Sequence, residues 1–280
     1  MRIDAHQHFW DVTRLNYAWM PAGDSVLRRN YLPDALAPIL ERHNFDGCVA
    51  VQANVVMEET WWLLDLADAS DLIRGVVAWV DLTDPHLGHT LDQCQRRPKF
   101  KGVRHIVHDE PDLRWLLRAD VVAGLRELAR REIPYDLLLR PPHLPLLPEL
   151  AERVPELQMV IDHIAKPLIA SREMEPWARD METASKIPGM HCKLSGMITE
   201  ASDEEDNANW SADDLRPYVR HVLQLFGPTR LMFGSDWPVC LLAGSWKEAL
   251  AAFTQACGPM PNDDREKILG ETAQRFYRLS

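Results

Sequence analysis

Two histidines one residue apart, His6 and His8, carry the first chemical signal in this chain. Side chains at alternate positions of a strand point the same way, so the pair can converge on one atom, a metal ion or a substrate oxygen. The same alternation puts Asp4 on their face. A bare pair of this kind also fits two ordinary surface histidines, so it needs support from elsewhere. The run MVIDHIAKP offers it, with His163 at its end and Lys166 just after. A histidine closing an apolar strand is well placed to move protons, because its intrinsic pKa lies near neutrality. In LMFGSDWP, Asp236 and Trp237 follow an apolar run and a Gly-Ser turn, which makes Asp236 a general-base candidate.

Other apolar runs also end in polar or aromatic residues. Gln52 and Asn54 suit hydrogen bonds to a polar ligand, or simply end a strand. Trp79, near Asp81, offers an aromatic face for a sugar-like ring, although a tryptophan in such a run is more often a core residue. Arg104, in KGVRHIV, needs an anionic or carbonyl partner, because a guanidinium among apolar neighbours cannot shed its charge. His105 falls on the opposite face. Lys193 alternates with His191 and Ser195 in MHCKLSGM, where a lysine is costly unless paired or used. The run YDLLLRPPHL has no histidine in its strand portion, and His143 comes only past two prolines.

These residues are far apart in the chain, so the elements between them must bring them together. Short apolar or β-branched runs alternate with stretches of helical spacing. The pattern predicts strands at Arg2–His8, Gly47–Asn54, Gly75–Leu82, Gly102–Val107, Pro134–Leu139, Gln158–His163, Met190–Ser195 and Arg230–Gly234. It predicts helices at Pro33–His43, Glu58–Ala69, Asp120–Arg131, Leu144–Arg153, Glu173–Lys186, Ala212–Leu225, Ser245–Ala256 and Asp264–Tyr277. Eight such units in 280 residues predict an α/β fold, a (β/α)8 TIM barrel forming a single domain over residues 1–280. A doubly wound sheet would carry a glycine-rich turn after its first strand, and none follows Ala5. In a barrel, functional side chains gather at the C-terminal strand ends, with both termini expected at the other end.

Composition excludes several function classes. With 46% hydrophobic and 26% charged residues the chain is ordinary globular material, not disordered or coiled-coil. Its 31 Lys and Arg against 42 Asp and Glu give a net charge of −11, a poor basis for binding nucleic acid or an anionic membrane. No apolar run approaches the roughly 18 residues of a membrane span. The start MRIDAHQHFW lacks a signal peptide's pattern, so the expected location is cytoplasmic. Cys48, Cys94, Cys192, Cys240 and Cys257 are scattered without a CxxC pair, so neither disulfides nor a thiolate zinc site is expected.

With DAHQHFW at Asp4–Trp10, KGVRH at Lys101–His105, IDHIAKP at Ile161–Pro167, KLSG at Lys193–Gly196 and FGSDWP at Phe233–Pro238, the chain resembles the amidohydrolase superfamily. Within it, DHIAKP together with FGSDWP is most similar to the sugar-lactone hydrolases of the fuconolactonase and rhamnonolactonase type. The resemblance implies a (β/α)8 barrel that opens a small-molecule sugar lactone to its aldonic acid. It puts His6, His8 and Asp236 around the reacting carbonyl, with His163 as a catalytic or ligand histidine. Arg104, Gln52, Lys193, Trp79 and Trp237 would then bind and orient the sugar. The missing fifth-strand histidine argues against a tight binuclear centre. One zinc ion on His6, His8, His163 and Asp236 is compatible with the pattern, and no cofactor is expected to be required. The alternative on the same barrel is a metal-dependent decarboxylase or hydratase acting on an unsaturated carboxylate; a scaffold without activity would have no reason to keep these groups together. Specificity is expected in the loops after Gln52, around Glu110–Arg114 and along Glu200–Trp210, with Ser202–Asp206 read as a solvated loop. Oligomeric state is left open, a homo-oligomer included.

Overall fold

Strands β1 (Ile3–Gln7), β2 (Gly47–Val51), β3 (Ile73–Ala78), β4 (Phe100–His105), β5 (Tyr135–Leu137), β6 (Met159–Ile161), β7 (His191–Leu194) and β8 (Leu231–Phe233) form one parallel sheet in chain order. The computed structural model describes residues 1–202 and 209–280, so most of the Ser202–Asp206 stretch and of the loop 200–210 lies outside the described residues. The sheet curls into a (β/α)8 barrel whose seam is closed by a parallel bridge between Gln7 and Trp237. Two backbone bonds hold that seam, Asp236 N–H to the His6 carbonyl at 2.8 Å and His8 N–H to the Trp237 carbonyl at 2.7 Å. The residues expected to do chemistry therefore also close the barrel.

Gly234 makes this closure sterically feasible. A Cβ there would sit 2.4 Å from the His6 Cβ and 3.0 Å from its backbone nitrogen. Gly234→Ala is expected to push β8 off β1, lowering stability by about 1–3 kcal/mol, as overpacking does, and displacing His6. Melting temperature and kcat measured together check this, because the seam and the site must fail jointly.

The strands are mostly shorter than their apolar runs suggest, so Gln52, Trp79, His163 and Asp236 stand just past strand ends on the following loops. Helices wrap the outside and bury Leu63, Leu125, Val219 and Phe253 against the sheet. One of them, Leu87–Gln95, is absent from the sequence expectation. Its buried face of Leu87, Leu91 and Cys94 has helical spacing, but the polar residues and Gly88 between them mask it. The expected helix Asp264–Tyr277 is instead Asn262–Glu266, a wider π turn over Lys267–Glu271, and Thr272–Tyr277. In that turn Gly270 lies against the N-terminal segment, where a Cβ would come 2.1 Å from the Met1 carbonyl oxygen. Both termini meet at this end, with Gln274 donating to the Met1 carbonyl at 2.7 Å.

Inside the barrel, Ile3, Ala5, Val49, Val51, Val77, Val160 and Met232 form a small separate core, completed from below by Ala273, Phe276 and Tyr277. The C-terminal helix thus plugs the barrel floor. All five cysteines are buried and unpaired. Among the described residues, no helix is long and apolar enough to cross a membrane.

Candidate active site

A β-bulge aims the first-strand histidines. Between Asp4 and Gln7 strand β1 takes three steps while β2 takes two, from Cys48 to Ala50. The extra residue breaks the alternation. His6 and His8 turn toward the barrel axis, but Asp4 does not share their face as alternation predicts. Asp4 points outward instead and accepts from Ser235 N–H at 2.8 Å, Ser235 Oγ at 2.5 Å and Trp246 Nε1 at 2.8 Å. Burial pushes its carboxyl up to about 6, against those three hydrogen bonds. Trp246 is set by the helix it begins, where Ser245 and Glu248 form a reciprocal capping box. Asp4 therefore anchors the turn that presents Asp236.

Asp236 itself has φ of 59°, a left-handed conformation unfavourable for a side chain that must point into the barrel mouth. A second such feature carries His163: residues His163, Ile164, Ala165 and Lys166 all lie at positive φ, 52°, 47°, 60° and 50°. A left-handed turn of non-glycine residues costs roughly 1–2 kcal/mol per residue, so its surroundings must hold it. Trp177 Nε1 donates to the Ile164 carbonyl at 2.7 Å, Lys166 Nζ pairs with Glu200 at 2.5 Å, and His163 Nδ1 meets Ser195 Oγ at 2.9 Å. Gly196 leaves room for the imidazole, since a Cβ there would lie 2.6 Å from Nδ1.

His8 donates from Nδ1 to the Val51 carbonyl at 2.8 Å and turns Nε2 to Asp236 Oδ1 at 3.2 Å. His6 Nε2 and His163 Nε2 stand 3.8 and 3.9 Å from the same oxygen. Beneath them lies a fully buried charge cluster. Arg104 Nη1 reaches His6 Nε2 at 3.2 Å and Asp162 Oδ2 at 3.1 Å, and its Nη2 donates to the Gln52 carbonyl. Lys193 Nζ lies 2.5 Å from Asp136 Oδ2 and 3.1 Å from Asp162 Oδ1.

Burial drives the imidazoles of His6 and His163 well below their usual value, with carboxylates Asp162 and Asp236 opposing it. For Asp236 burial works upward, but His163 and the hydrogen bond from His8 outweigh it and hold the carboxyl below the ordinary carboxylate value. Asp162 is held well below it too, because Lys193, His6 and Arg104 overcome its burial. The site therefore sets a neutral His6 imidazole and two further histidines, His8 and His163, around an ionised carboxylate.

Above this floor opens a cleft. His8, Arg104, His163, Lys166 and Asp236 line it, with His108, Asp109 and an apolar wall of Ile106, Leu138 and Val239. Four expected sugar-binding residues lie elsewhere. Lys193 is fully buried under His6, and Gln52 is locked to Arg104 by its own Nε2 bond to the Arg104 carbonyl at 3.3 Å. Trp237 packs edge-on against Phe9 and Tyr31, and Trp79 donates from Nε1 to His105 Nδ1 at 2.9 Å. Sequence reading gives no role to Asp136 or Asp162. Their signal was the requirement for partners: two buried cations, Arg104 and Lys193, demand two buried carboxylates.

Among the described residues, His6, His163 and Asp236 form the group able to hold a metal ion, with ligand atoms all within 4.8 Å of one another. Two imidazoles and one carboxylate match a three-ligand zinc site with an open fourth position. His8 falls outside this set. Arg104 lies against the same His6 nitrogen and competes with an ion for its lone pair.

The family model described as Amidohydrolase matches residues 3–279. An L-fucono-1,5-lactonase of Burkholderia ambifaria is 37% identical over 285 residues, 99% of this chain and 96% of that protein. One of Burkholderia multivorans is 37% identical over 289 residues, 100% of this chain and 96% of that protein. A crystal structure of an amidohydrolase from Burkholderia multivorans with bound zinc superposes with a TM-score of 0.91 at 36% identity, covering 100% of both chains.

Proposed function

This chain belongs to the amidohydrolase family, and on that premise we propose that it hydrolyses a sugar lactone such as L-fuconolactone or L-rhamnonolactone to the aldonic acid. The full-length similarity to two L-fucono-1,5-lactonases supports the substrate class. The observation that carries the chemistry is Asp236, an ionised carboxylate at the cleft floor 3.2 Å from His8 Nε2.

In this reading Asp236 takes a proton from water as its oxygen attacks the lactone carbonyl. The bond between carbonyl carbon and ring oxygen then breaks, and Asp236 returns the proton to the leaving alkoxide. Arg104 and Lys166 line the cleft as charged hydrogen-bond donors for the developing oxyanion and the aldonate product. His8 orients Asp236, while His163 contributes a ring nitrogen facing the same carboxylate. The mixed lining suits a deoxy sugar, whose hydroxyls favour His108, Asp109 and Lys166 and whose methyl group favours Ile106, Leu138 and Val239. A zinc ion held by His6, His163 and Asp236 would supply Lewis-acid polarisation of the carbonyl. The Arg104 contact on His6 supports a reaction that proceeds without it.

A panel of aldonolactones followed with a pH indicator, before and after exhaustive chelation, tests the proposal. Deoxy-sugar lactones are expected to turn over, with most activity surviving chelation. Activity lost on chelation and restored by stoichiometric zinc would overturn the metal-free version alone. Turnover of unsaturated carboxylates in place of every lactone would favour the decarboxylase or hydratase alternative.

A further inference from the structure

We propose that Tyr277, on the C-terminal helix that plugs the barrel floor, is a positioning residue that sets the tautomer of His6 through Asp136 and Lys193. The consequence for turnover rests on the lactonase reading; the tautomer itself does not.

The chain of contacts is short and dry. Tyr277 donates its hydroxyl to Asp136, whose two oxygens lie 2.9 and 2.8 Å away. Asp136 Oδ2 lies 2.5 Å from Lys193 Nζ, and Lys193 Nζ lies 3.2 Å from His6 Nδ1. The same ammonium stands 5.4 Å from the centre of the Tyr277 ring. Tyr277, Asp136, Lys193 and His6 are each no more than 1% exposed. Around the phenol lie Ile3, Ala5 and the valines of the inner core, where a phenylalanine would plug the floor equally well. The hydroxyl is therefore explained by Asp136 and not by packing.

Donor counting shows what this achieves. A neutral imidazole has one N–H and one lone pair. Two groups that can only donate face the ring at equal distance, Arg104 Nη1 at 3.2 Å from Nε2 and Lys193 Nζ at 3.2 Å from Nδ1, and the single lone pair can serve only one of them. Asp162 Oδ1, buried without a hydrogen-bond partner 3.3 Å from Nδ1, is the acceptor available to an Nδ1–H, and that tautomer leaves the lone pair on Nε2 for Arg104. Lys193 is the threat to this arrangement. It also can only donate, and it sits within reach of Nδ1. If it donated a hydrogen bond to Nδ1, the lone pair would have to lie there, and the ring's one N–H, on Nε2, would face the Arg104 donor. Asp136 draws the ammonium toward itself and Asp162, and Tyr277 fixes Asp136 in the orientation that does so. The lone pair of His6 then stays on the nitrogen that faces Asp236.

The test is Tyr277→Phe in the full chain, read by imidazole ¹⁵N NMR and by kinetics on the best lactone of the panel. His6 in the parent is expected to show the Nδ1–H pattern, and the variant to shift toward Nε2–H. With a lactone, kcat should fall about tenfold, the lower end for loss of an outer-sphere partner, with KM within twofold. An unchanged His6 pattern overturns the proposal whatever the melting temperature, and so does a kcat within twofold of the parent. The ring signals need no substrate, so they judge the relay even if no lactone is turned over. Should the variant fail to fold, Lys193→Met/Asp136→Leu removes both buried partners together, which a fold tolerates better than removing one. That background should keep the Nδ1–H pattern, and adding Tyr277→Phe to it should leave kcat within twofold. A further fall there would overturn the relay.

Discussion

Asp236→Asn is expected to lower kcat by about 10²–10⁴-fold, the usual contribution of a general base, with KM nearly unchanged. The amide keeps the size of the carboxylate and its place 3.2 Å from His8 Nε2, but cannot accept the proton of the attacking water. The pH profile separates this role from a structural one. Burial would raise the Asp236 carboxyl, but His163 and the His8 hydrogen bond hold it below the ordinary value. Its basic form therefore persists as the medium is acidified past about pH 3.9, the value of a free aspartate, and is lost only below that. Activity that depends on it should follow the same acidic limb, and the limb should vanish in Asp236→Asn. A purely structural Asp236 would instead give a lower melting temperature and an unchanged limb. A stable Asp236→Asn protein with parental kcat would remove the base assignment and leave His163 as the candidate.

Arg104→Met should be the most damaging single change to stability, at about 3–5 kcal/mol, the range for breaking one side of a buried ion pair. Arg104 is 3% exposed and Asp162 fully buried, with Nη1 and Oδ2 3.1 Å apart. Methionine fills much of the same volume but leaves Asp162 and Asp136 to share Lys193, one uncompensated negative charge under the site. A melting-temperature fall on the order of 10 °C follows for a chain of this size. Adding Asp162→Leu restores charge balance, with Lys193 and Asp136 still paired at 2.5 Å. The double variant should recover most of the stability and little of the activity, because His6 loses both Arg104 and Asp162. Equal stability of Arg104→Met and the parent would show that the guanidinium serves the ligand alone, and the loss would then appear in KM.

Much of the candidate site was legible because its parts are local. HxH, a histidine closing MVID and an aspartate after FGS are patterns within a few residues, and the structure brings His6, His8 and His163 within hydrogen-bonding or near-contact range of one Asp236 oxygen. Asp4 shows where this reasoning stops. Period-2 alternation predicts its face, and a single inserted residue in the β1–β2 pairing reverses it. Lys193 shows a different boundary. Its need for a partner was legible, but its choice between cleft and floor was not, because Asp136 stands on β5 and Asp162 just past the end of β6.

By itself, then, the order of residues determined the alternation of eight strands with helices, the strand ends that carry chemistry, and the demand of each buried charge for an opposite one. These follow from short-range periodicity and from solvation cost, which belong to the residue and its neighbours. Only the tertiary structure decided that Tyr277 reaches Asp136 across 141 positions and Lys193 reaches His6 across 187. It also decided that Gln7 and Trp237 close the barrel through the backbone beside His6 and Asp236. Those contacts depend on the path of the whole chain, where one bulge or one left-handed turn redirects a side chain by more than a hydrogen bond's reach.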